Sequence, residues 1–444
     1  MLAPIRCVGS MHNHELRRGR LASYLHCLFW KHVDRQMKIL VLNSGSSSQK
    51  ACLHEIGDAL PESPPLPLWE GRIEWRGDTA AITVRNSKGI TRKEKLKSLP
   101  CEFALKDLLA TLWSGNTRSI ASPAEINAVG HRVVHGGPCF HDPILINNDV
   151  YSTLAGLSQF APLHIQSELQ GMKTIADLLG DVPQIAVFDT GFHRQMPRVA
   201  QTYPGPYEWF EHGIRRYGFH GINHQYCSIR AARLIGKDLR SLKIVSCHLG
   251  NGGSVTGIRA GGSVDTTMGF TPLDGLMMGT RSGSVDPGIL IFLMRQYGLD
   301  ADQIDDMLNR KSGLLGISGL SADMRDILAG MHRGNERAKL AFDLYVHRLR
   351  TAIGGMTAVL EGLDVLIFTA GIGENSPEVR AATCKGLDFL GVAIDLNRNN
   401  KDALLDADIS SSDSRAKVLV IRAAEDWAIA GECWKLCRCA AAVA

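Results

Sequence analysis

A chain of 444 residues with 45% hydrophobic and 21% charged residues has the length for about two domains and the composition to bury a core in each. Its formal net charge is +4, and the whole excess lies in residues 1–36, where Arg6, Arg17, Arg18, Arg20, Lys31 and Arg35 outnumber Glu15 and Asp34. The rest of the chain is neutral, which argues against nucleic acid as a partner, and no apolar run has the length to span a bilayer. The 11 cysteines are odd in number and scattered, so they read as reduced thiols of a cytoplasmic protein rather than a disulfide framework. Cys433, Cys437 and Cys439 lack the second ligand cluster of a zinc site and read as unpaired thiols near a fraying terminus.

Residues 1–36 hold four of the 16 histidines and show no sustained period. A secretory signal is disfavoured because His26 breaks the stretch from Leu21 to Trp30 and no small-residue cleavage site follows. A basic, acid-poor transit peptide fits loosely. The favoured reading is that translation starts at Met37, where a strand begins at once. That strand, Met37–Leu42, runs into Asn43-Ser44-Gly45-Ser46-Ser47-Ser48. A second, Ala186–Phe188, ends at Asp189. A third, Leu242–Leu249, runs into Gly250-Asn251-Gly252-Gly253-Ser254, so the first pattern repeats weakly at about half the chain length. The apolar stretch Ile289–Met294 has the length of a strand or a buried helix. Helical periodicity covers Arg337 to Leu363, with Gly362 as the expected stop. The strand Val365–Thr369 runs into Ala370-Gly371-Ile372-Gly373-Glu374-Asn375, and Val418–Ile421 precedes Glu425. Strands alternating with loops and helices predict an α/β fold in two domains.

Three junctions between a strand and a Gly-rich loop are the main chemical signal. Glycine lets backbone N–H groups approach an anion, and Ser, Thr and Asn add donors. Each loop alone is more often a structural turn. None has the Walker A pattern or G-x-G-x-x-G, which disfavours a P-loop enzyme and a dinucleotide-binding dehydrogenase. Three other Gly-flanked segments carry cations: Gly130–Gly137 around Arg132, Tyr217–Gly221 around His220, and Met278–Ser284 around Arg281. Phosphoryl transfer needs fixed cations to meet the charge on the equatorial oxygens. A lone Arg or His of this kind usually neutralises a neighbour or sits satisfied in a core; three together favour the functional reading. Asp189 at a strand end is a common catalytic position in α/β folds, and equally a turn or cap. Glu425 has the chemistry to hold Mg²⁺, although position alone favours a surface glutamate at a helix start.

Nine segments in order resemble the acetate kinase family: Asn43–Ser48, Gly130–Gly137, Ala161–His164, Phe188–His193, Tyr217–Gly221, His248–Gly252, Met268–Leu273, Gly279–Arg281 and Gly371–Asn375. The resemblance runs from Met37 to about Ala430. It implies the duplicated α/β fold of the superfamily that joins acetate and sugar kinases, chaperone ATPases and actin, with ATP in an interdomain cleft. One domain is then residues 37–188 plus about 426–444, and the nucleotide-binding domain is residues 189–425. The resemblance also implies a homodimer, ATP and ADP as nucleotides, Mg²⁺ (or Mn²⁺), and the reversible conversion of acetate to acetyl phosphate.

Carried over by position, the resemblance assigns Asn43 and Glu425 to magnesium and Lys50 to ATP. Arg132 holds the substrate carboxylate, and Asp189 is the essential acid that orients the carboxylate or an arginine. His220 and Arg281 stabilise the transition state. The nucleotide lies on His248, Leu249, Gly250, Asn251 and Gly252, on Asp323, Met324 and Arg325, and on Gly371, Ile372, Gly373, Glu374 and Asn375. Val134, Leu163, Phe219 and Pro272 surround the methyl group. Three departures stand out: Ile165-Gln166 replaces the usual Asn-Pro after Pro-Leu-His, Gly191 stands where alanine is frequent, and Arg422-Ala423-Ala424 replaces a more polar run. A carboxylate nucleophile is already an anion and needs no base, which fits the absence of a Ser-His-Asp or Cys-His arrangement. The alternatives are a propionate or butyrate kinase, a non-catalytic ATP-binding switch, and a sugar kinase with Asp189 as base.

Overall fold

The computed structural model describes residues 36–44, 48–76, 79–97, 101–159, 162–401 and 406–443. The expectations for the N-terminal extension up to residue 35 and for Gly45-Ser46-Ser47 lie outside the described residues. The chain divides into two compact units, one running to Gly191 and taking in Ala424–Ala444, the other Phe192–Ala423.

In the first unit β1 (Met37–Ser44), β2 (Ser48–Ile56), β3 (Trp69–Arg76), β4 (Thr79–Asn86) and β5 (Thr91–Lys97) form an antiparallel meander. On the other side of β1 lie β6 (Ala128–Val133) and β8 (Gln184–Phe188), both parallel, with the two-residue β7 (Ile144–Leu145) antiparallel at the edge. The sheet order is β5-β4-β3-β2-β1-β6-β8-β7. Helix α1 (Pro162–Leu179) joins β7 to β8, and the C-terminal helix (Glu425–Val443) returns to this unit. β1 is apolar on both faces, as a strand covered on both sides must be. Leu40 and Leu42 enter a core with Leu53, Trp69, Leu105, Leu108 and Ile175. The opposite face meets the C-terminal helix so closely that a Cβ on Gly130 would lie 2.7 Å from Ile429 and from Cys433 Sγ. Glycine is therefore required at this point of β6.

The second unit repeats the plan. Strands β9 (Lys243–Leu249), β10 (Gly253–Arg259) and β11 (Gly262–Thr266) are antiparallel, β12 (Val365–Thr369) and β14 (Lys417–Val420) are parallel to β9, and the two-residue β13 (Ala407–Asp408) is the antiparallel edge. Its order, β11-β10-β9-β12-β14-β13, matches β3-β2-β1-β6-β8-β7 strand for strand. The weak repeat between Met37 and Leu242 is thus a duplication of six strands, to which the first sheet adds β4 and β5. Helices α2 (Gly221–Ile235), α3 (Pro287–Tyr297), α4 (Met324–His332), α5 (Glu336–Leu360) and α6 (Ala370–Asn375) belong to this unit. Alternate residues of β9 pack on α5 (Val245, Cys247 and Leu249) and beside α2 (Ile244).

Three expectations are corrected. The stretch Ile289–Met294 is helical but not buried: it lies in α3, where Ile289, Ile291, Phe292, Met294 and Tyr297 are exposed. Helix α5 ends at Leu360, because Glu361 itself takes the left-handed conformation that Gly362 was expected to supply. Cys433 and Cys437 are buried in the C-terminal helix rather than at a frayed end. Neither is disulfide-bonded, and the same holds of Cys52, Cys227, Cys247, Cys384 and Cys439.

Candidate active site

The parallel strands of the first unit deliver Arg132 and Asp189 from neighbouring positions. Arg132 stands next to last in β6, and Asp189 follows the end of β8. Arg132 Nη2 donates to Asp189 Oδ2 at 2.8 Å, and the Asp189 N–H closes the ladder on Val133 O at 2.9 Å. Asp189 is 0% exposed and lies in the turn that follows β8. Burial opposes the charge on Arg132, yet Asp189, Glu425 and Glu168 together hold its pKa above the usual value. Its Nε is buried and has no hydrogen-bond partner among the described residues. One cation thus serves several carboxylates and still has a donor to offer. Val134, two residues on, is buried. Neighbouring His131 is a core residue: it pairs with Gln184 at 2.8 Å, and burial lowers its pKa to about 4.

Asn43 and Glu425 also come together in this unit. Asn43 lies next to last in β1, Glu425 begins the C-terminal helix, and Asn43 Nδ2 lies 3.5 Å from Glu425 Oε2. Glu425 is half-buried, and burial first of all raises its pKa. Amide and carboxylate oxygens at one point suit a hard divalent cation. Lys50 faces Asn43 across the β1–β2 ladder, and its side chain is exposed. The next residue of the C-terminal helix, Asp426, takes no part in that pair. It bonds His54 Nε2 at 3.0 Å, and Cys52 lies within reach of both. With Asp426 committed to His54 and Trp427 set edge-on against the imidazole at 5.5 Å, this cluster anchors the helix start.

The second unit holds the other cations. The β9–β10 hairpin turns through Gly250-Asn251-Gly252, closed by Gly250 N–H to Gly252 O at 2.8 Å. His220 caps α2 in the left-handed conformation, φ 58°, which a non-glycine residue adopts rarely and which recurs at functional sites. Its Nδ1 bonds Ser254 Oγ at 2.9 Å, and its ring stacks on His248 at 3.9 Å and 10°. Asn223 fixes His248 in turn, from Nδ2 to Nδ1 at 2.8 Å. Arg281 Nη1 reaches Pro272 O at 3.3 Å. Among the described residues Arg281 forms no ion pair, and burial alone moves its pKa, downward. A Cβ on Gly252 would lie 3.4 Å from Arg281 Nη1 and 3.6 Å from the His220 ring. An imidazole and an unpaired guanidinium therefore converge where the loop carries no side chain.

The remaining nucleotide candidates sit at helix starts in the same unit. Asp323 caps α4 and pairs with the exposed Arg325, and Met324 is buried. Gly371 to Asn375 form most of α6 directly after β12. The strained Ala370, φ 65°, opens that helix, and Glu374 accepts the Ala423 N–H at 2.8 Å. Arg380, buried, donates to the carbonyls of Gly373 and Glu374 and so holds the end of α6. Of the methyl-pocket candidates, Val134 is in the first unit; Phe219, buried, and Pro272, half-buried, are in the second. Leu163 lies in α1, and its side chain is outside the described residues.

Two features escaped the sequence reading. One is the histidine group around His220, with His193 and His224 buried beside it; its signal was the four-residue spacing of His220 and His224. The other is Glu168, whose Oε1 accepts the Val134 N–H at 3.0 Å. A polar residue in an otherwise ordinary amphipathic helix gave no warning.

The acetokinase family model matches residues 38–431. An acetate kinase of Cyanothece sp. is 53% identical over 402 residues, spanning 90% of this chain and 98% of its own length. The crystal structure of Porphyromonas gingivalis acetate kinase superposes with a TM-score of 0.83 at 38% identity, over 90% of this chain and 100% of that one. That of a propionate kinase from Francisella tularensis gives 0.81 at 35% identity, over 89% and 98%.

Proposed function

The chain belongs to the acetokinase family, and on that premise we propose that it is an acetate kinase, transferring the γ-phosphoryl group of ATP reversibly to acetate to give acetyl phosphate and ADP. The observation that carries the reading is Arg281: a half-buried guanidinium without a carboxylate partner among the described residues, beside His220 and over the bare backbone of Gly252. Such a cation is built for an anion that the protein does not itself supply.

The division of labour follows from charge. Arg132 takes the acceptor carboxylate with the donors that Asp189 leaves over, and Asp189 keeps the guanidinium from turning. Lys50 supplies a further cation for the nucleotide. His220 and Arg281 meet the charge on the transferring group. The loop Gly250-Asn251-Gly252 and the starts of α4 and α6 carry the rest of the nucleotide. No general base is needed, because the nucleophile is anionic already; positioning and charge supply the catalysis. Asn43 and Glu425 would hold Mg²⁺, which when bound offsets phosphate charge. Val134, two residues beyond Arg132, would line the methyl group of the acceptor.

No described helix is long and apolar enough to cross a membrane, and the reading places the enzyme in the cytoplasm. It also makes the enzyme a homodimer. The exposed apolar side chains of α3 support this, with Tyr297 69% exposed on a helix that a lone subunit has no reason to leave bare. The test is trapping of acetyl phosphate with hydroxylamine, using purified protein, ATP, Mg²⁺ and acetate. Acyl phosphate in proportion to enzyme supports the reading; ATP consumed without it points to another acceptor. Initial rates on acetate, propionate and butyrate separate the acetate reading from a longer-chain kinase.

A further inference from the structure

Glu168 is a buried carboxyl, 3% exposed, to which the roles above give no task. It sits on α1, four residues after His164, in the segment where Ile165-Gln166 departs from the expected Asn-Pro. Its Oε1 accepts the Val134 N–H at 3.0 Å, and its Oε2 is buried with no hydrogen-bond partner among the described residues. The bond falls at a particular place. The β6–β8 ladder ends at Val133, whose carbonyl accepts the Asp189 N–H. Three residues further on, the Gly136 N–H donates to Thr190 Oγ1 at 3.3 Å. Val134 lies between these, past the last ladder bond, and its N–H would be a buried orphan without Glu168.

We propose that Glu168 is a positioning residue for the acceptor pocket: by holding the backbone of Val134 it fixes the wall that sets how long an acyl chain the enzyme accepts. The proposal rests on the acetate kinase reading. Val134 is one residue beyond Val133 and two beyond Arg132, so a shift of its backbone moves the pocket wall relative to the carboxylate holder. A side chain locked by a helix at one end and a backbone amide at the other gives that wall the rigidity which chain-length discrimination requires.

The charge state of Glu168 fits the task. Burial pushes its pKa up to about 8, helped by Asp189 and opposed by the Val134 N–H and Arg132. At neutral pH the carboxyl is protonated, one oxygen accepting and the hydroxyl free to donate. The groups around it are Arg132 on β6, Asp189 after β8 and, acting on Arg132, Glu425 of the C-terminal helix. A neutral Glu168 leaves the Arg132 charge to Asp189 and the incoming carboxylate. Once ionised, it adds a further anion to that group and opposes substrate binding.

Glu168→Gln retains the shape and both hydrogen-bonding functions of the neutral acid. At pH 7 its acetate kcat and KM should stay within about 3-fold of the native enzyme. Above pH 8 the native KM for acetate should climb while that of the variant stays level. Glu168→Ala, which frees Val134, should move the propionate-to-acetate ratio of kcat/KM toward propionate by about 10-fold, the scale of one methylene, with the KM for ATP unchanged. A Gln variant whose KM rises with pH as the native one does overturns the proposal, as does an Ala variant that loses both activities in parallel. Should the Ala variant fail to fold, the Gln profile decides alone. A native protein that forms no acetyl phosphate defeats the functional reading itself, a result distinct from either.

Discussion

The two sheets share one strand order but hold their arginines in opposite ways. In the first, Arg132 is tied to the fully buried Asp189 at 2.8 Å and surrounded by further carboxylates. In the second, Arg281 lies over a glycine loop with a carbonyl oxygen for company and no carboxylate pair among the described residues. The first arrangement is closed and oriented; the second is a cation awaiting an anion. Duplication supplied the same scaffold twice, and the side chains at the strand ends gave the copies different tasks. In the reading proposed above, one fixes the direction of a small carboxylate, while the other balances charge that appears only with the nucleotide and the transition state.

The contrast breaks most sharply at Arg132. Its replacement by Ala leaves Asp189 buried and uncompensated, a loss of about 3–5 kcal/mol for a pair of this kind. Chemical denaturation should show that loss, and the KM for acetate should rise steeply. Arg281→Ala should behave in the opposite sense. It breaks no ion pair, so the melting temperature should hold or rise slightly, while kcat falls by about 10²–10³-fold with little change in the KM for ATP. A variant with near-normal kcat would make Arg281 structural and remove the contrast.

Smaller effects sharpen the picture. Val134→Ala should raise kcat/KM for propionate and lower it for acetate, within the roughly 10–200-fold range that one methylene commands; a parallel fall in both would make Val134 core packing only. A further effect is in pH. The pKa of Glu168 lies near 8 in the folded chain against an ordinary carboxyl value in the unfolded one. The folded state therefore holds the extra proton between about pH 4.5 and 8, and stability falls as pH rises through that window. Melting curves of the native protein should show this decline, and those of Glu168→Gln should lack its share of it.

Much of this was legible in the chain. Strands β1, β9 and β12 announced themselves as apolar runs ending in glycine, serine and asparagine, because a strand covered on both faces has no polar alternation to hide it. Arg132, His220 and Arg281 stood out because a cation between glycines is unusual. Helix α3 was misjudged because apolar composition is the same whether a helix packs inside its own subunit or is left bare. Its exposure depends on which elements fold over it, and no local pattern carries that. The end of α5 was misplaced by one residue because Glu361 accepts a left-handed backbone that glycine takes more readily.

By itself, then, the order of residues determined the elements, the repeat and the reactive types at the strand ends, since these rest on periodicity, backbone freedom and side-chain chemistry within a few neighbours. Only the tertiary structure decided that Asp189 is wholly buried against Arg132, that Asn43 meets Glu425 from 382 positions away, that Arg281 forms no ion pair among the described residues, and that Glu168 catches the backbone of Val134. Those are pairings between distant segments. Their energies depend on burial and on the absence of other partners, and neither exists until the sheets have formed.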